Sequence, residues 1–168
     1  MQRKSKPVSL HKDPNALNAT ALRFETVQAQ AARGQTLQLV LPFDRRKVSR
    51  QLVVLSDGRE AGLFLPRGTV LRGGDLLISD QGLEVAIKAA DEAVMVVTAT
   101  DFQALSRAAY HLGNRHIPVE VGREQLKLEY DYVLLDLLQR LGVTVQEVMT
   151  AFEPEAGAYG GGHRHADD

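Results

Sequence analysis

Five histidines and no cysteine set the chemistry open to this chain of 168 residues. Without thiols, disulfides, thiolate zinc sites, iron–sulfur clusters and cysteine nucleophiles are excluded, so a bound metal must sit on nitrogen and oxygen. His11 lies in a basic, polar leader and reads as a solvated terminal residue. His111 and His116 lie at a helix-to-strand junction, and His163 and His165 stand one residue apart in a tail that ends in Asp167 and Asp168. In an extended tail that spacing turns both imidazoles the same way. Imidazole suits zinc, copper and nickel, and the aspartates add harder oxygen donors. Each position also has a plainer reading. His111, in the last turn of a helix, would meet the helix dipole favourably as a cation. His116 sits in an exposed connection two residues before Pro118, and the tail pair can be a polar terminus and no more.

Enzymatic readings fare worse. GxSxG, GxxxxGK[ST], HExxH and a helix-opening GxGxxG are all absent. A catalytic zinc takes three protein ligands, whereas the fold-embedded histidines are two, His111 and His116. Glu153 and Glu155 flank a proline and read as solvated acids. The chain therefore reads as not an enzyme. Its formal net charge of -1 argues against a coat for nucleic acid or an anionic membrane. The charge is uneven: residues 1 to 50 are basic, with Arg45, Arg46, Lys47 and Arg50 as the densest run, and the rest is acidic. That run reads as a solvated loop, with a docking patch for an acidic partner as the alternative. The longest uncharged apolar stretch, Ala93 to Thr100, falls far short of the roughly 20 residues of a membrane helix. The leader MQRKSKPVSLHK has no apolar run behind it, so a cytoplasmic location is expected.

Two segments with different patterns must position these residues. With 44% apolar residues but only four Tyr, five Phe and no Trp, the core must be aliphatic. Over residues 21–91 short strands are expected between Gly, Pro and Asp turns. Leu37, Leu39 and Leu41 share one strand face, and Asp57-Gly58 marks a hairpin between Leu52–Leu55 and Ala61–Leu65. Pro66-Arg67-Gly68, Gly73-Gly74-Asp75 and Asp80-Gln81-Gly82 punctuate three further apolar runs. Over residues 92–153 the pattern predicts βαββαβ. The β-branched run Ala93–Ala99 is followed by Thr100 and Gln103 at capping-box spacing, then by Leu105, Ala108, Ala109 and Leu112 on one helical face. Gly113 stands where a left-handed residue would end that helix. Ile117, Val119 and Val121 alternate, Gly122 turns, and Leu126, Leu128 and Tyr130 alternate again. Asp131 caps a second helix closed by Gly142, and the run Val143–Phe152 follows. The expected fold is α+β: a leader (residues 1–20), a small all-β N-terminal domain, a ferredoxin-like C-terminal domain and a flexible His-containing tail over residues 154–168.

The run His111-Leu112-Gly113-Asn114-Arg115-His116-Ile117-Pro118-Val119 resembles the GNRHxP motif of the UreE-type urease accessory proteins, the nickel metallochaperones of urease assembly. Leu65-Pro66-Arg67-Gly68 and Gly74-Asp75-Leu76 are similar to that family's LPRG and GD turns, and Phe152 to Tyr159, FEPEAGAY, to the segment before its His-bearing tail. The resemblance covers about residues 20 to 165.

The resemblance implies a β-rich partner-binding domain joined to a ferredoxin-like metal-binding domain. It implies a homodimer in which His116 of each subunit holds one Ni(II) across the two-fold axis, with His163 or His165 completing the N/O set; His111, from its place in the last turn of a helix, stays a second-rank candidate. Nickel is then cargo, with Zn(II) as competitor, and the partners are the urease accessory GTPase and the urease maturation complex. Tyr130 and Tyr132 stand where some family members carry histidines, so an extra metal site is not expected. The two-histidine tail does not suit bulk storage. The alternative is a ferredoxin-like regulatory or protein-interaction module, which dimerises without dependence on nickel. An RNA reader is disfavoured, because Val119, Val121, Leu126 and Leu128 supply no stacking aromatics.

Overall fold

The computed structural model describes residues 22–34 and 37–156. His11, His163 and His165 lie outside the described residues. The chain divides between Ala89 and Ala90 into two compact units.

In the first unit, β1 (Leu22–Gln28), β2 (Gln38–Leu41), β3 (Arg50–Val54), β4 (Glu60–Phe64), β5 (Leu76–Ser79) and β6 (Glu84–Ala89) form one sheet in the order β2-β6-β5-β1-β4-β3. β1 runs parallel to β4 and β2 to β6, and the other pairs are antiparallel. The expected alternation points inward: Leu39 and Leu41 join Phe24, Leu63, Leu77 and Val85 in the core, and Leu37 packs against it. Asp57-Gly58 turns β3 into β4, with Gly58 at φ +89°. The Asp57 carboxylate accepts from the Arg59 backbone N–H at 3.1 Å and from its Nε at 2.7 Å. The backbone bond first, and then the guanidinium, hold that carboxyl below its ordinary pKa. The run after Gly68 forms no strand. Leu71 is fully buried, but its N–H is already committed to the Arg46 carbonyl at 3.0 Å. The sheet's two edge strands are tied at one point, where Ser56 N–H donates to Gln38 O at 2.8 Å and Gln38 N–H donates to Ser56 Oγ at 3.0 Å.

The basic run is only partly a solvated surface. Arg46 ends the one-turn helix α1 (Phe43–Arg46) and is fully buried. Its Nε donates to Leu41 O and its Nη1 to Leu71 O, both at 3.2 Å. Those two carbonyls lie at the last residue of β2 and in a loop, and a guanidinium has enough donors to reach both. Arg45 is likewise bonded, to Gln51 Oε1 at 2.6 Å and Leu52 O at 3.1 Å. Lys47 and Arg50 are the members left exposed.

In the second unit the order is β7 (Asp91–Thr98), α2 (Phe102–Gly113), β8 (Glu120–Val121), β9 (Gln125–Glu129), α3 (Tyr132–Arg140) and β10 (Thr144–Ala151). The sheet order β10-β7-β9-β8, antiparallel throughout, is the ferredoxin-like arrangement expected from the sequence. Met95 lies opposite Leu128 and Val97 opposite Leu126, so four buried side chains share one face. Ala108 and Leu112 of α2 and Leu134 and Leu138 of α3 join them in one core. The whole protein is therefore α+β.

Two local details differ from expectation. Asp101, not Thr100, caps α2: it is extended (φ -113°, ψ 124°), as a cap must be, and its carboxylate accepts from Gln103 N–H at 3.0 Å. The alternation Ile117-Val119-Val121 yields only the two paired residues of β8, because Ile117 is held by the helix end and Pro118 has no N–H to give a ladder. Asp131 caps α3 as expected, accepting from Val133 N–H at 2.7 Å and Leu134 N–H at 3.1 Å, and Gly142 follows at φ +77°.

Replacing Arg46 by methionine keeps side-chain length but removes the donors. Arg46→Met should lower the unfolding free energy by about 2–4 kcal/mol, because it strands two buried carbonyls. Urea denaturation reads this directly, and an unchanged midpoint would show that Leu41 O and Leu71 O find other partners.

Candidate metal centre

Leu112 is fully buried in α2, and Ile117, five residues on, packs against the same core. The chain must reverse between them without lifting either side chain out. It does so with a paired helix ending: Ile117 N–H donates to Leu112 O at 3.2 Å, and His116 N–H to Gly113 O at 2.9 Å. This is the Schellman geometry, in which the residue before the apolar return takes a left-handed conformation. That residue is His116, at φ +55°. Gly113, expected to play this part, is instead the last residue of α2, and Asn114 continues right-handed at φ -62°, ψ -20°. The apolar pair Leu112 and Ile117, at the spacing this motif uses, was the sequence signal for the true end.

A side chain in the left-handed region costs roughly 1–2 kcal/mol that glycine would not. Such a residue, kept where glycine is the usual choice, points to a task for its side chain. His116 is exposed, and its imidazole has no hydrogen-bond partner among the described residues. The backbone thus sets where the side chain leaves the chain, and the imidazole is left available to a ligand.

His111 is differently placed. It is half-buried in the last turn of α2, its ring meets Tyr110 edge-on at 5.4 Å between centroids, and its carbonyl accepts from Arg115 Nη1 at 2.9 Å. Among the described residues no group of three His, Asp or Glu side chains is arranged to hold a metal, so His116 and His111 do not form a closed site with a third ligand. One oxygen of Asp131, Oδ1, is engaged in capping α3.

The chain that carries His163 and His165 ends its described part beside this junction. Glu155 N–H donates to Val119 O at 2.8 Å, three residues from His116. His163 is eight residues further along the chain than Glu155, a contour length of up to about 28 Å. An open depression of about 560 Å³ lies elsewhere in this unit, lined by Thr98, Phe102, Leu105, Arg123 and Gln125 among others, with no histidine. No helix of the described residues is long and apolar enough to cross a membrane.

Comparison with known proteins agrees with this layout. Residues 18–90 match the family described as UreE urease accessory protein, N-terminal domain, and residues 92–168 match its C-terminal domain. The chain is 63% identical over 131 residues to the urease accessory protein UreE of Cupriavidus necator, covering 78% of this chain and 68% of that one. The protein of the same name from Cupriavidus pinatubonensis is 61% identical over 131 residues, 78% of this chain and 59% of the relative. That of Burkholderia thailandensis is 55% identical over 155 residues, 92% of this chain and 68% of the relative. The relatives are named as accessory proteins rather than as enzymes. With both halves matched in order and this level of identity, the chain belongs to the UreE family of urease accessory proteins.

Proposed function

We propose that this protein is a nickel carrier for urease assembly, and that His116 is the ligand around which its tight site forms. The observation that carries the reading is the exposed, unpartnered imidazole at φ +55°. One imidazole binds a borderline metal weakly, whereas a two-fold axis through that position supplies a second copy of the same ligand. The surface beside it suits a second copy: Tyr110 and Val121, on the elements entering and leaving the loop, expose 65% and 56% of their area. Homodimerisation there puts one Ni(II) between two His116 side chains. His163 and His165 then add exchangeable donors from the tails, and His111 is a reserve ligand one turn away. Zn(II) competes for the same nitrogen and oxygen set.

Such a site binds and releases metal and catalyses nothing. All-N/O ligation without thiolates favours exchange over tight retention, which suits delivery to a GTPase partner and onward to the urease maturation complex. The alternative, a ferredoxin-like interaction module with no nickel role, leaves the strained histidine without a task.

His116→Gly separates the metal from the fold. Glycine accepts the left-handed backbone freely, so the variant should be as stable as the wild type or more so by about 1 kcal/mol, while losing the tight nickel site. Calorimetric titration of nickel, with thermal unfolding alongside, reads both; unchanged tight binding would sink the assignment. Deleting residues 160–168 should weaken nickel binding and transfer with the unfolding midpoint unchanged, and a tail without effect on either would be a bystander.

A further inference from the structure

β10 and β8 are the opposite edges of the second sheet, three strand spacings apart, or about 14 Å. The chain leaves β10 at Ala151, opposite Asp91, yet four residues later Glu155 is hydrogen-bonded to Val119 at the start of β8. Phe152–Glu155 therefore cross the end of the sheet as a strap. Phe152 and Pro154 are buried and hold it by their apolar surface. Beside the Glu155–Val119 backbone bond, one side chain, Glu120, binds it: Oε2 accepts from Glu153 N–H at 2.7 Å, and Oε1 accepts from Lys127 Nζ at 2.7 Å. With only 24% of the Glu120 side chain and 18% of that of Lys127 exposed, water competes poorly for this carboxylate. Both bonds are charge-assisted, and Lys127 keeps the unused oxygen from turning away.

We infer that Glu120, steadied by Lys127, is a positioning residue that fixes where the histidine tail leaves the fold. The inference rests on the nickel-carrier reading of His116 and the tail. Without the strap the tail departs from β10, and about 14 Å of its reach is used to cross the sheet before it nears His116. With the strap it starts at the His116 edge. The gain is in effective concentration of His163 and His165 at the metal, which depends steeply on the distance a short tether must span.

The test is a cycle. Nickel affinity is measured by calorimetry for the wild type, Glu120→Ala and Glu120→Gln, each in the full chain and in a chain ending at Tyr159. In the full chain Glu120→Ala should weaken binding about threefold to tenfold, and Glu120→Gln less, because its amide oxygen still accepts from Glu153. In the shortened chain neither should change affinity. An equal loss in both lengths would mean that Glu120 supports the His116 loop itself, and the inference would be overturned. A metal-free measurement keeps this distinct from the carrier reading. The chain has no cysteine, so a spin label at Gly161→Cys is unique, and it should broaden the Asn114 and Arg115 amide resonances in the wild type but not with Glu120→Ala. Broadening that survives Glu120→Ala overturns the clamp, whereas broadening lost as expected in a protein with no nickel affinity leaves the clamp standing and removes the carrier.

Discussion

Leu112 and Ile117 both belong to the apolar layer beneath α2, and the chain between them is too short for any reversal but a tight one. Burying both side chains forces the two crossed hydrogen bonds at the helix end, and those bonds force one residue into the left-handed region. Burial of two aliphatic side chains, each typically contributing roughly 1.5–3 kcal/mol, outweighs the 1–2 kcal/mol cost of placing a side chain there. The core thus sets the backbone at the proposed ligand. His116 stands outside the fold with no side-chain hydrogen bond among the described residues, because the packing on either side of it holds the backbone.

The rest of the second unit serves the same end. Met95, Val97, Leu126 and Leu128 give α2 a flat layer to lie on, and Asp101 starts the helix so that its last turn falls at the sheet's end. The strap from β10 returns the chain to β8, bringing the tail's root to the same junction. The first unit solves a separate problem with separate means. Arg46 donates to carbonyls at the end of β2 and in a loop, and Arg45 to a carbonyl of the edge strand β3.

Strands and helices were legible where periodicity and turn chemistry agreed. Leu39 and Leu41, the Asp57-Gly58 turn, the α3 cap at Asp131 and the βαββαβ order could be read because each depends on neighbours in sequence. What was not legible depends on neighbours in space. Arg46 looks like any member of a basic run until Leu41 and Leu71 present carbonyls to it from residues far apart in the chain. Gly113 looked like the helix end because glycine usually is, and only the joint burial of Leu112 and Ile117 moves the left-handed position to His116. His116 was nevertheless singled out by its exposed loop and by the motif around it. The Glu120 clamp carried no sequence signal, since a glutamate in a short edge strand is ordinary until Glu153 folds back onto it.

The proposed function stands on one nickel held between two copies of His116. The most direct measurement is nickel stoichiometry at the tight site by equilibrium titration, with the mass of the same sample fixed by light scattering. Saturation is expected at about half a nickel per chain in a particle of twice the chain mass. A full equivalent per chain in a monomer would contradict it.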